Sequence, residues 1–216
     1  MNEKNITVNK TARYFILGES GDQINSIWFI CHGYGQLASY FLRNFEVLNN
    51  GKNLLVAPEG LHRFYLKGYS DRVGASWMTK EDRLNDIKDY INFLDALYQE
   101  VISPFKGRKV KINVLGFSQG AATVSRWVAH KSFKPDNLIL WSGAFPKDLP
   151  LEADFALFNS FKTLFIIGDQ DEFINPSQAE EEENMLKQKG IPFELIKFNG
   201  KHEINTKVLK DIAEKI

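Results

Sequence analysis

Ser118 lies between two glycines in the segment Gly-Phe-Ser-Gln-Gly, at residues 116–120. The apolar residues 110–115 before it predict a strand, and residues 119–130 after it predict a helix, with almost no loop between them. A turn this tight projects the serine hydroxyl into solvent and places a helix amino end behind it, where developing negative charge is favoured. The segment therefore predicts a nucleophilic serine, and an ordinary turn serine is the alternative.

A serine hydroxyl is a poor nucleophile at neutral pH and needs a general base. The chain has four histidines. His32 and His62 precede Ser118. His130 lies near the far end of the helix that the serine begins, roughly 18 Å from its start at about 1.5 Å per residue. His202 lies in a predicted turn between the last strand and the last helix, from where its ring can reach over the sheet edge, and we therefore predict His202 as the base.

The base needs an orienting carboxylate, which in chain order should lie between the serine and the histidine. Asp169 and Asp171 both follow the predicted strand at residues 163–167. Spacing alone does not separate them, and one of the two is expected to cap the turn. Three further aspartates remain possible although they do not directly follow a strand: Asp136, Asp148 and Asp154.

The negatively charged oxygen of an acyl adduct needs two backbone N–H donors, which together form an oxyanion hole. Gln119, the residue after the predicted nucleophile, supplies one of them. The second should come from a loop after an early strand, and His-Gly-Tyr-Gly at residues 32–35 is such a loop, whose glycines permit unusual backbone angles. We predict the N–H of Tyr34 as the second donor and a structural role for His32. A plain glycine turn is the alternative.

Short β-rich runs alternate with helical patterns along the chain. Runs that are apolar throughout are typical of central parallel strands covered on both faces, and their alternation with helices predicts an α/β sheet. The predicted strands are residues 14–17, 26–31, 53–57, 110–115, 138–141, 163–167 and 193–198. The predicted helices are residues 39–48, 80–101, 119–130, 176–189 and 205–215.

Two long connections, residues 60–79 and 143–162, are predicted to be irregular. Both follow the carboxyl ends of strands, where such sheets bind ligands. Apolar and aromatic residues in the loops expected near the serine indicate a pocket for an acyl or alkyl group. These residues are Phe64, Tyr65, Trp77, Met78, Phe145 and Phe173. The alternative is that they anchor the long loops by packing.

The order of four motifs resembles the α/β-hydrolase family: His-Gly-Tyr-Gly at residues 32–35, the serine motif at 116–120, Gly-Asp-Gln-Asp at 168–171 and Gly-Lys-His at 200–202. The serine motif, followed by small residues, is similar to that of the phospholipase/carboxylesterase group, which includes acyl-protein thioesterases. The resemblance spans about residues 26–216. It implies an α/β-hydrolase fold, with a mostly parallel, twisted sheet of about seven strands, an antiparallel first strand and helices on both faces.

The resemblance also bears on two residues. The family places its acid ahead of an apolar pair and a proline, which here matches Asp171 ahead of Phe173, Ile174 and Pro176. It therefore favours Asp171 over Asp169. Family members often carry a tryptophan in the loop before the long helix, and Trp77 matches it.

The residues and the resemblance together predict a carboxylesterase-like serine hydrolase with Ser118, His202 and Asp171 as its catalytic triad. It is expected to cleave small or medium apolar acyl esters through an acyl-enzyme intermediate. Acyl-thioesterase and lysophospholipase activities are the alternatives within the hydrolases. A non-catalytic binding module on the same fold is the alternative from another class of protein. No metal ion or other cofactor is predicted.

The chain of 216 residues carries 27 basic and 27 acidic side chains, so its formal net charge is zero. Because it has no long basic stretch, a nucleic-acid partner is not expected. No apolar run approaches the length of about 18 residues that a membrane span needs, and the polar first ten residues contain no apolar signal core. The length fits a single domain, residues 1–216, and the lone Cys31 excludes an internal disulfide. We expect a cytoplasmic monomer or homodimer.

Overall fold

The computed structural model describes residues 1–149, 155–174 and 176–216. Nine strands occur in these residues. They are β1 (Tyr14–Leu17), β2 (Ser26–Cys31), β3 (Asn53–Pro58), β4 (His62–Tyr65), β5 (Val73–Ser76), β6 (Lys111–Phe117), β7 (Asn137–Trp141), β8 (Lys162–Gly168) and β9 (Glu194–Phe198). The α-helices are α1 (Ala38–Phe41), α2 (Arg83–Ile102), α3 (Gln119–Ala129), α4 (Pro176–Gln188) and α5 (Thr206–Ala213).

Seven of the described strands form one sheet, in the order β1-β3-β2-β6-β7-β8-β9. β1 runs antiparallel to β3, and the other neighbouring strands of this sheet are parallel. The central strands are apolar because both of their faces are covered: all six residues of β2 are buried. This sheet confirms the predicted fold class, with its antiparallel first strand.

Helices cover both faces of the sheet, and each face has its own cluster of buried side chains. On one face, α2, α3 and α4 pack over alternate residues of the strands, including Phe29 and Val114. On the other face, α1, α5 and a 3₁₀ helix at Leu42–Leu48 pack over Trp28 and Leu115. Successive side chains of a strand point to opposite faces, so each strand contributes to both clusters.

Two predicted segments take a different local structure. The helix predicted at residues 39–48 is the short α1 followed by the 3₁₀ helix, in which the side chain of Asn44 donates a hydrogen bond to the carbonyl oxygen of Phe41 at 2.9 Å. An asparagine side chain of this kind competes for the backbone acceptors of an α-helix.

The described helices contain no segment long and apolar enough to cross a membrane.

The connection at residues 60–79, predicted to be irregular, contains the antiparallel hairpin of β4 and β5. The hairpin stays separate from the main sheet and meets the segment after β2 through a bridge between Gln36 and Ala75. In the second connection, 143–162, a 3₁₀ helix occupies Phe155–Ser160. Residues 150–154 of this connection lie outside the described residues.

Four strands are each followed by a residue singled out in the sequence, and these strands end at one edge of the sheet. Ser118 directly follows β6, and His32 directly follows β2. Asp171 comes three residues after β8, and His202 comes four residues after β9. Because these strands are parallel, the sheet brings four distant parts of the sequence to the same edge.

Candidate active site

Ser118 lies in a strained turn between β6 and α3. Its backbone angles are φ 54° and ψ −117°, a left-handed φ that is uncommon for a residue other than glycine. A methyl group added to Gly116 would lie 2.2 Å from the carbonyl oxygen of Gly120, and one added to Gly120 would lie 2.3 Å from that of Cys31. The two glycines are therefore required because backbone segments pass too closely for any side chain.

Neighbouring strands hold the Ser118 turn from two sides. Its N–H donates to the carbonyl oxygen of Trp141, at the end of β7, at 2.9 Å. A methyl group added to Gly143 would lie 2.3 Å from the Ser118 carbonyl oxygen. On the other side, a methyl group added to Gly33 would lie 3.2 Å from the Cβ of Ser118. The loop after β2 is thus in direct contact with the serine.

His202 and Asp171 are hydrogen-bonded to each other. Nδ1 of His202 lies 2.8 Å from Oδ2 of Asp171 and 3.0 Å from Oδ1. The Asp171 side chain is fully buried, and Oδ1 also accepts hydrogen bonds from the N–H groups of Phe173 at 2.9 Å and Ile174 at 3.2 Å. Because the carboxylate accepts at Nδ1, the imidazole keeps its Nε2 lone pair free to take a proton.

The imidazole of His202 lies between two aromatic rings. Its centroid is 4.8 Å from the ring of Phe117, the residue before Ser118, and 4.7 Å from the ring of Phe173. The loop that carries His202 packs against the end of β8, because a methyl group added to Gly168 would lie 2.4 Å from the carbonyl oxygen of Gly200. These contacts fix the ring next to the serine turn.

Asp169, the other aspartate after β8, has a different set of partners. It is exposed, and its Oδ1 accepts from the N–H of Gly200 at 3.1 Å. Its Oδ2 lies 3.4 Å from the side-chain nitrogen of Asn199. Asp169 therefore fastens the backbone of the loop before His202, whereas Asp171 contacts the imidazole itself.

The three remaining aspartate candidates are accounted for separately. Asp136 accepts from the N–H of Ile112, near the start of β6 and therefore at the opposite edge of the sheet. Asp148 bonds to Arg126 at 2.7 Å and to Arg83 at 2.6 Å. Partial burial favours a raised pKa for Asp148, but these hydrogen bonds outweigh it and the pKa is lowered. Asp154 lies outside the described residues.

The loop after β2 leaves one N–H group available between two that are occupied. The N–H of Gly33 donates to Oε1 of Gln36 at 2.8 Å, and the N–H of Gly35 donates to the carbonyl oxygen of Ala75 at 2.8 Å. The N–H of Tyr34 has no partner among the described residues. Gln119 is the first residue of α3, so its N–H is one of those that a helix leaves unpaired.

His32 is fully buried and serves as a structural link. Nε2 accepts a hydrogen bond from the N–H of Gly60 at 3.0 Å, so Nδ1 carries the proton that faces the carbonyl oxygen of Gly33 at 2.7 Å. Burial lowers the pKa of His32 from its ordinary value of 6.5 to about 4, and its ring stays neutral at pH 7. The imidazole has both nitrogens occupied by the backbone.

The side chain of Gln119 joins the start of α3 to the segment after β5. Its Oε1 accepts from the N–H of Trp77 at 3.1 Å, and its Nε2 donates to the carbonyl oxygen of Met78 at 2.8 Å. The Ser76 hydroxyl donates to the same carbonyl at 2.7 Å. Sequence reasoning gave Gln119 only a backbone role and did not find this side-chain contact.

The predicted pocket residues fall into three groups. Phe64 is partly buried, with its ring 5.2 Å from that of Tyr34, whereas Tyr65 and Phe173 are exposed. Met78 is partly buried and contacts Arg126 through its sulfur. Trp77 and Phe145 differ from the prediction of a pocket lining. Both are fully buried in the core.

The burial of Trp77 and Phe145 has a clear physical cause. The indole N–H of Trp77 donates to the carbonyl oxygen of His32 at 2.9 Å, and its ring packs edge-on against Tyr90 of α2. Phe145 packs edge-on against Phe158, and its N–H donates to the carboxylate of Glu182. These contacts anchor the long connections to the body of the protein.

Glu59 is a buried charged residue that sequence reasoning missed. Its fully buried carboxylate accepts from Arg13 at 2.7 Å, from Arg63 at 3.4 Å and from the N–H of Ala38 at 3.2 Å. It joins β1, the hairpin and α1 close to the loop after β2. A charged residue directly after a buried strand was the available signal, since such residues are seldom buried unless paired.

Each of the other two histidines faces a single carboxylate away from the serine turn. Nε2 of His62 is 3.0 Å from Asp86, and Nε2 of His130 is 3.9 Å from Asp95. Within the described ranges, no group of three or more His, Cys, Asp or Glu side chains could hold a metal ion.

A strained serine, a histidine paired with a buried aspartate and backbone donors that have no partner among the described residues therefore meet at one sheet edge. The model of the family described as serine hydrolase (FSH1) matches residues 29–210. The chain belongs to this serine hydrolase family. No curated protein matches its sequence. The predicted α/β-hydrolase fold is confirmed, and the protein is a serine hydrolase.

Solved structures share the fold at low sequence identity. The esterase PE8 is 19% identical with a TM-score of 0.70, over 96% of this chain and 100% of that one. Acyl-protein thioesterase 2 of Zea mays is 16% identical with a TM-score of 0.70, over 95% and 97% of the two chains. A carboxylesterase of Mesorhizobium loti is 19% identical with a TM-score of 0.69, over 95% of each chain. These similarities show a common α/β-hydrolase fold.

Proposed function

We propose that this serine hydrolase cleaves carboxylic esters of small or medium apolar acyl groups, with Ser118, His202 and Asp171 as its catalytic triad. The observation that carries the proposal is the hydrogen bond between the His202 imidazole and the buried Asp171 carboxylate. This pair lies beside the strained turn that places the half-buried Ser118 at the amino end of a helix. A nucleophile, a base and a carboxylate that orients the base are the parts that acyl transfer to water requires.

In the first half of the reaction, the Ser118 hydroxyl oxygen bonds to the ester carbonyl carbon while Nε2 of His202 takes its proton. Asp171 holds the ring and stabilises the positive charge that forms on it. The tetrahedral adduct then breaks its bond to the alcohol oxygen, which receives the proton from His202. In the second half, His202 activates a water molecule, which attacks the acyl-serine and releases the carboxylic acid.

The N–H groups of Tyr34 and Gln119 are the proposed donors to the oxyanion. The support is that the Tyr34 N–H has no partner in the described part of the chain, whereas the neighbouring Gly33 and Gly35 N–H groups are occupied. The amino end of α3 adds a favourable field for negative charge at Ser118. Each such donor is worth about 3 kcal/mol of transition-state stabilisation.

The exposed apolar side chains near the imidazole support an apolar acyl group. Phe173 contacts His202 and is 66% exposed, and the Tyr34 ring packs against Phe64 beside the loop that touches Ser118. Burial of such rings against an acyl chain is favourable because apolar surface leaves water. A thioester with the same acyl group is the second candidate, favoured by the fold shared with the Zea mays thioesterase.

The proposal is tested by fluorophosphonate labelling followed by peptide mapping, together with an ester panel. We expect the label on Ser118 and its loss in Ser118→Ala, while Ser160→Ala, which removes an exposed serine hydroxyl, is labelled normally. His202→Gln should lose labelling and turnover, whereas His130→Gln, at the far end of α3, should keep both. Paired oxygen and sulfur esters of two, six and twelve acyl carbons then separate esterase from thioesterase.

Two results would contradict this function. Labelling of a different serine, or undiminished hydrolysis by Ser118→Ala, would show that Ser118 is not the nucleophile. A correctly folded wild-type protein that neither labels nor hydrolyses any member of the panel would favour the non-catalytic binding module.

A further inference from the structure

A cavity of ≈ 640 Å³ lies at the edge of the sheet opposite to the candidate active site. It opens beside the first residues of three parallel strands, Ser26 of β2, Asn53 of β3 and Lys111 of β6. Ser118 follows the last residue of β6, so one strand length of roughly 20 Å separates the cavity from the serine. The volume falls in the range of small-molecule sites, which are about 300–1,000 Å³.

The side chains around this cavity are strongly biased towards positive charge. Four lysines line it, against the single acidic side chain of Glu214. None of the four is within 4.0 Å of a carboxylate of another described residue, although the charge of Lys210 helps to lower the pKa of Asp211, which pairs with Lys207. Several lysines around a concave surface create a positive potential there, and this potential attracts anions. The four lysines are Lys52, Lys109, Lys111 and Lys210.

Two buried side chains, those of Trp28 and Ser26, complete the lining. Trp28 is 1% exposed, and its indole Nε1 makes no hydrogen bond with any described residue. The Ser26 hydroxyl accepts from the Asn113 side chain at 2.8 Å, and Asn113 in turn accepts from Asn137 at 2.7 Å. No described residue accepts the Ser26 hydroxyl proton, so this row of hydrogen bonds leaves it available as a donor. Ser26 is 7% exposed, and an acceptor supplied by a ligand would pair its hydroxyl proton.

We propose that this cavity binds a small organic anion, with a phosphate or carboxylate group held by the lysines and a neutral acceptor atom bonded to Ser26, next to Trp28. The size of the cavity suits a molecule as large as a mononucleotide. The site is separate from the proposed esterase chemistry, since it shares no residue with the Ser118 edge of the sheet.

Binding is tested by titrating the whole chain with ATP, pyrophosphate and citrate at low salt, followed by calorimetry and by ¹⁵N–¹H spectra of the indole groups. The chain has four tryptophans, and the Trp28 indole signal is assigned from its loss in Trp28→Phe. We expect at least one probe to bind and to shift the Trp28 signal more than the other three. Comparing the affinity for ATP and pyrophosphate with the affinity for citrate distinguishes phosphate from carboxylate ligands. Failure of every probe to shift this signal would overturn the proposal.

The double variant Lys111→Ala/Lys210→Ala is expected to bind the probe at least tenfold more weakly, because each charged hydrogen bond contributes about tenfold or more in affinity. Lys88→Ala, an exposed lysine of α2, is the matched control and should bind like wild type. Both variants change only exposed side chains, so they test the site even if Trp28→Phe does not fold. Equal weakening by Lys88→Ala, or none by the double variant, would show non-specific binding and overturn the proposal.

The double variant should also hydrolyse esters at the wild-type rate in the absence of the anion. This readout keeps the two proposals distinguishable. If the protein binds the probe but hydrolyses no ester, the anion site stands and the proposed enzyme function fails. If it hydrolyses esters but binds no probe, only the anion-site proposal fails.

Discussion

Oδ2 of Asp171 lies 2.8 Å from Nδ1 of His202, while Asp169, two residues earlier, bonds to the backbone of Gly200. The turn after β8 buries the Asp171 carboxylate and leaves the Asp169 carboxylate exposed. Two identical side chains therefore have different partners, and this difference can be measured.

We expect Asp171→Asn to lower kcat by about 10³- to 10⁴-fold, because an amide facing Nδ1 stabilises the wrong tautomer and cannot stabilise the imidazolium. Asp169→Asn should lower kcat by less than about tenfold, since only two hydrogen bonds to the neighbouring loop change. Steady-state kinetics on a chromogenic ester measure both variants. Equal or reversed losses would show that Asp169 is the orienting acid.

Gln36 is predicted to position the preceding loop, whose Tyr34 N–H is the proposed oxyanion donor. Gln36→Leu removes the acceptor of the Gly33 N–H and leaves that donor unpaired, at a cost of about 1–3 kcal/mol. We expect kcat to fall about tenfold with little change in KM, measured on the same ester. Gln36→Glu keeps an acceptor oxygen and should retain most of the activity.

Tyr34→Phe is the control for the side chain of the same loop, because it leaves the backbone N–H in place. It should change kcat by less than about twofold, since a phenol that makes no essential hydrogen bond contributes little. A large loss in Tyr34→Phe together with none in Gln36→Leu would show that the loop acts through the phenol rather than through its backbone.

His32 should make the protein less stable in mild acid. Burial lowers its folded-state pKa from 6.5 to about 4, so the unfolded chain binds the extra proton first. The free energy of unfolding therefore falls as pH drops from about 6.5 to 4, by about 3 kcal/mol from this group. Urea denaturation at several pH values should show that His32→Gln lacks this part of the decrease. A stability difference from wild type that stays constant across this range would contradict it.

Phe173→Ala is expected to raise KM for esters of six or more acyl carbons by about fivefold, with little effect on an acetyl ester. The exposed ring beside His202 would otherwise bury apolar surface against the longer chain, a contribution of about 1 kcal/mol. Tyr40→Ala, which removes an exposed ring on α1, is the matched control and should leave KM unchanged. An equal rise in KM for every acyl length would assign Phe173 to support of the imidazole instead.

Much of the fold follows from the local sequence. The continuous apolar runs of β2, β6, β7 and β8 predict strands that are buried on both faces of a sheet. The helical patterns between these runs predict the helices that cover both faces. The hairpin at β4 and β5 was not predicted, because β4 is only partly buried and β5, although mostly buried, consists of four small residues without a continuous apolar pattern. The roles of Gln36 and Glu59 were missed for another reason: their partners are distant in sequence or belong to the backbone.

The sequence by itself determined the serine turn, since Gly116 and Gly120 flank Ser118 where a strand meets a helix, and it determined the order of the candidate acid and base along the chain. Only the tertiary structure decided which aspartate faces His202, and that Trp77 and Phe145 are buried rather than exposed. A turn or a strand depends on neighbouring residues. The partner of a carboxylate and the burial of a ring depend on segments that meet only when the sheet is assembled.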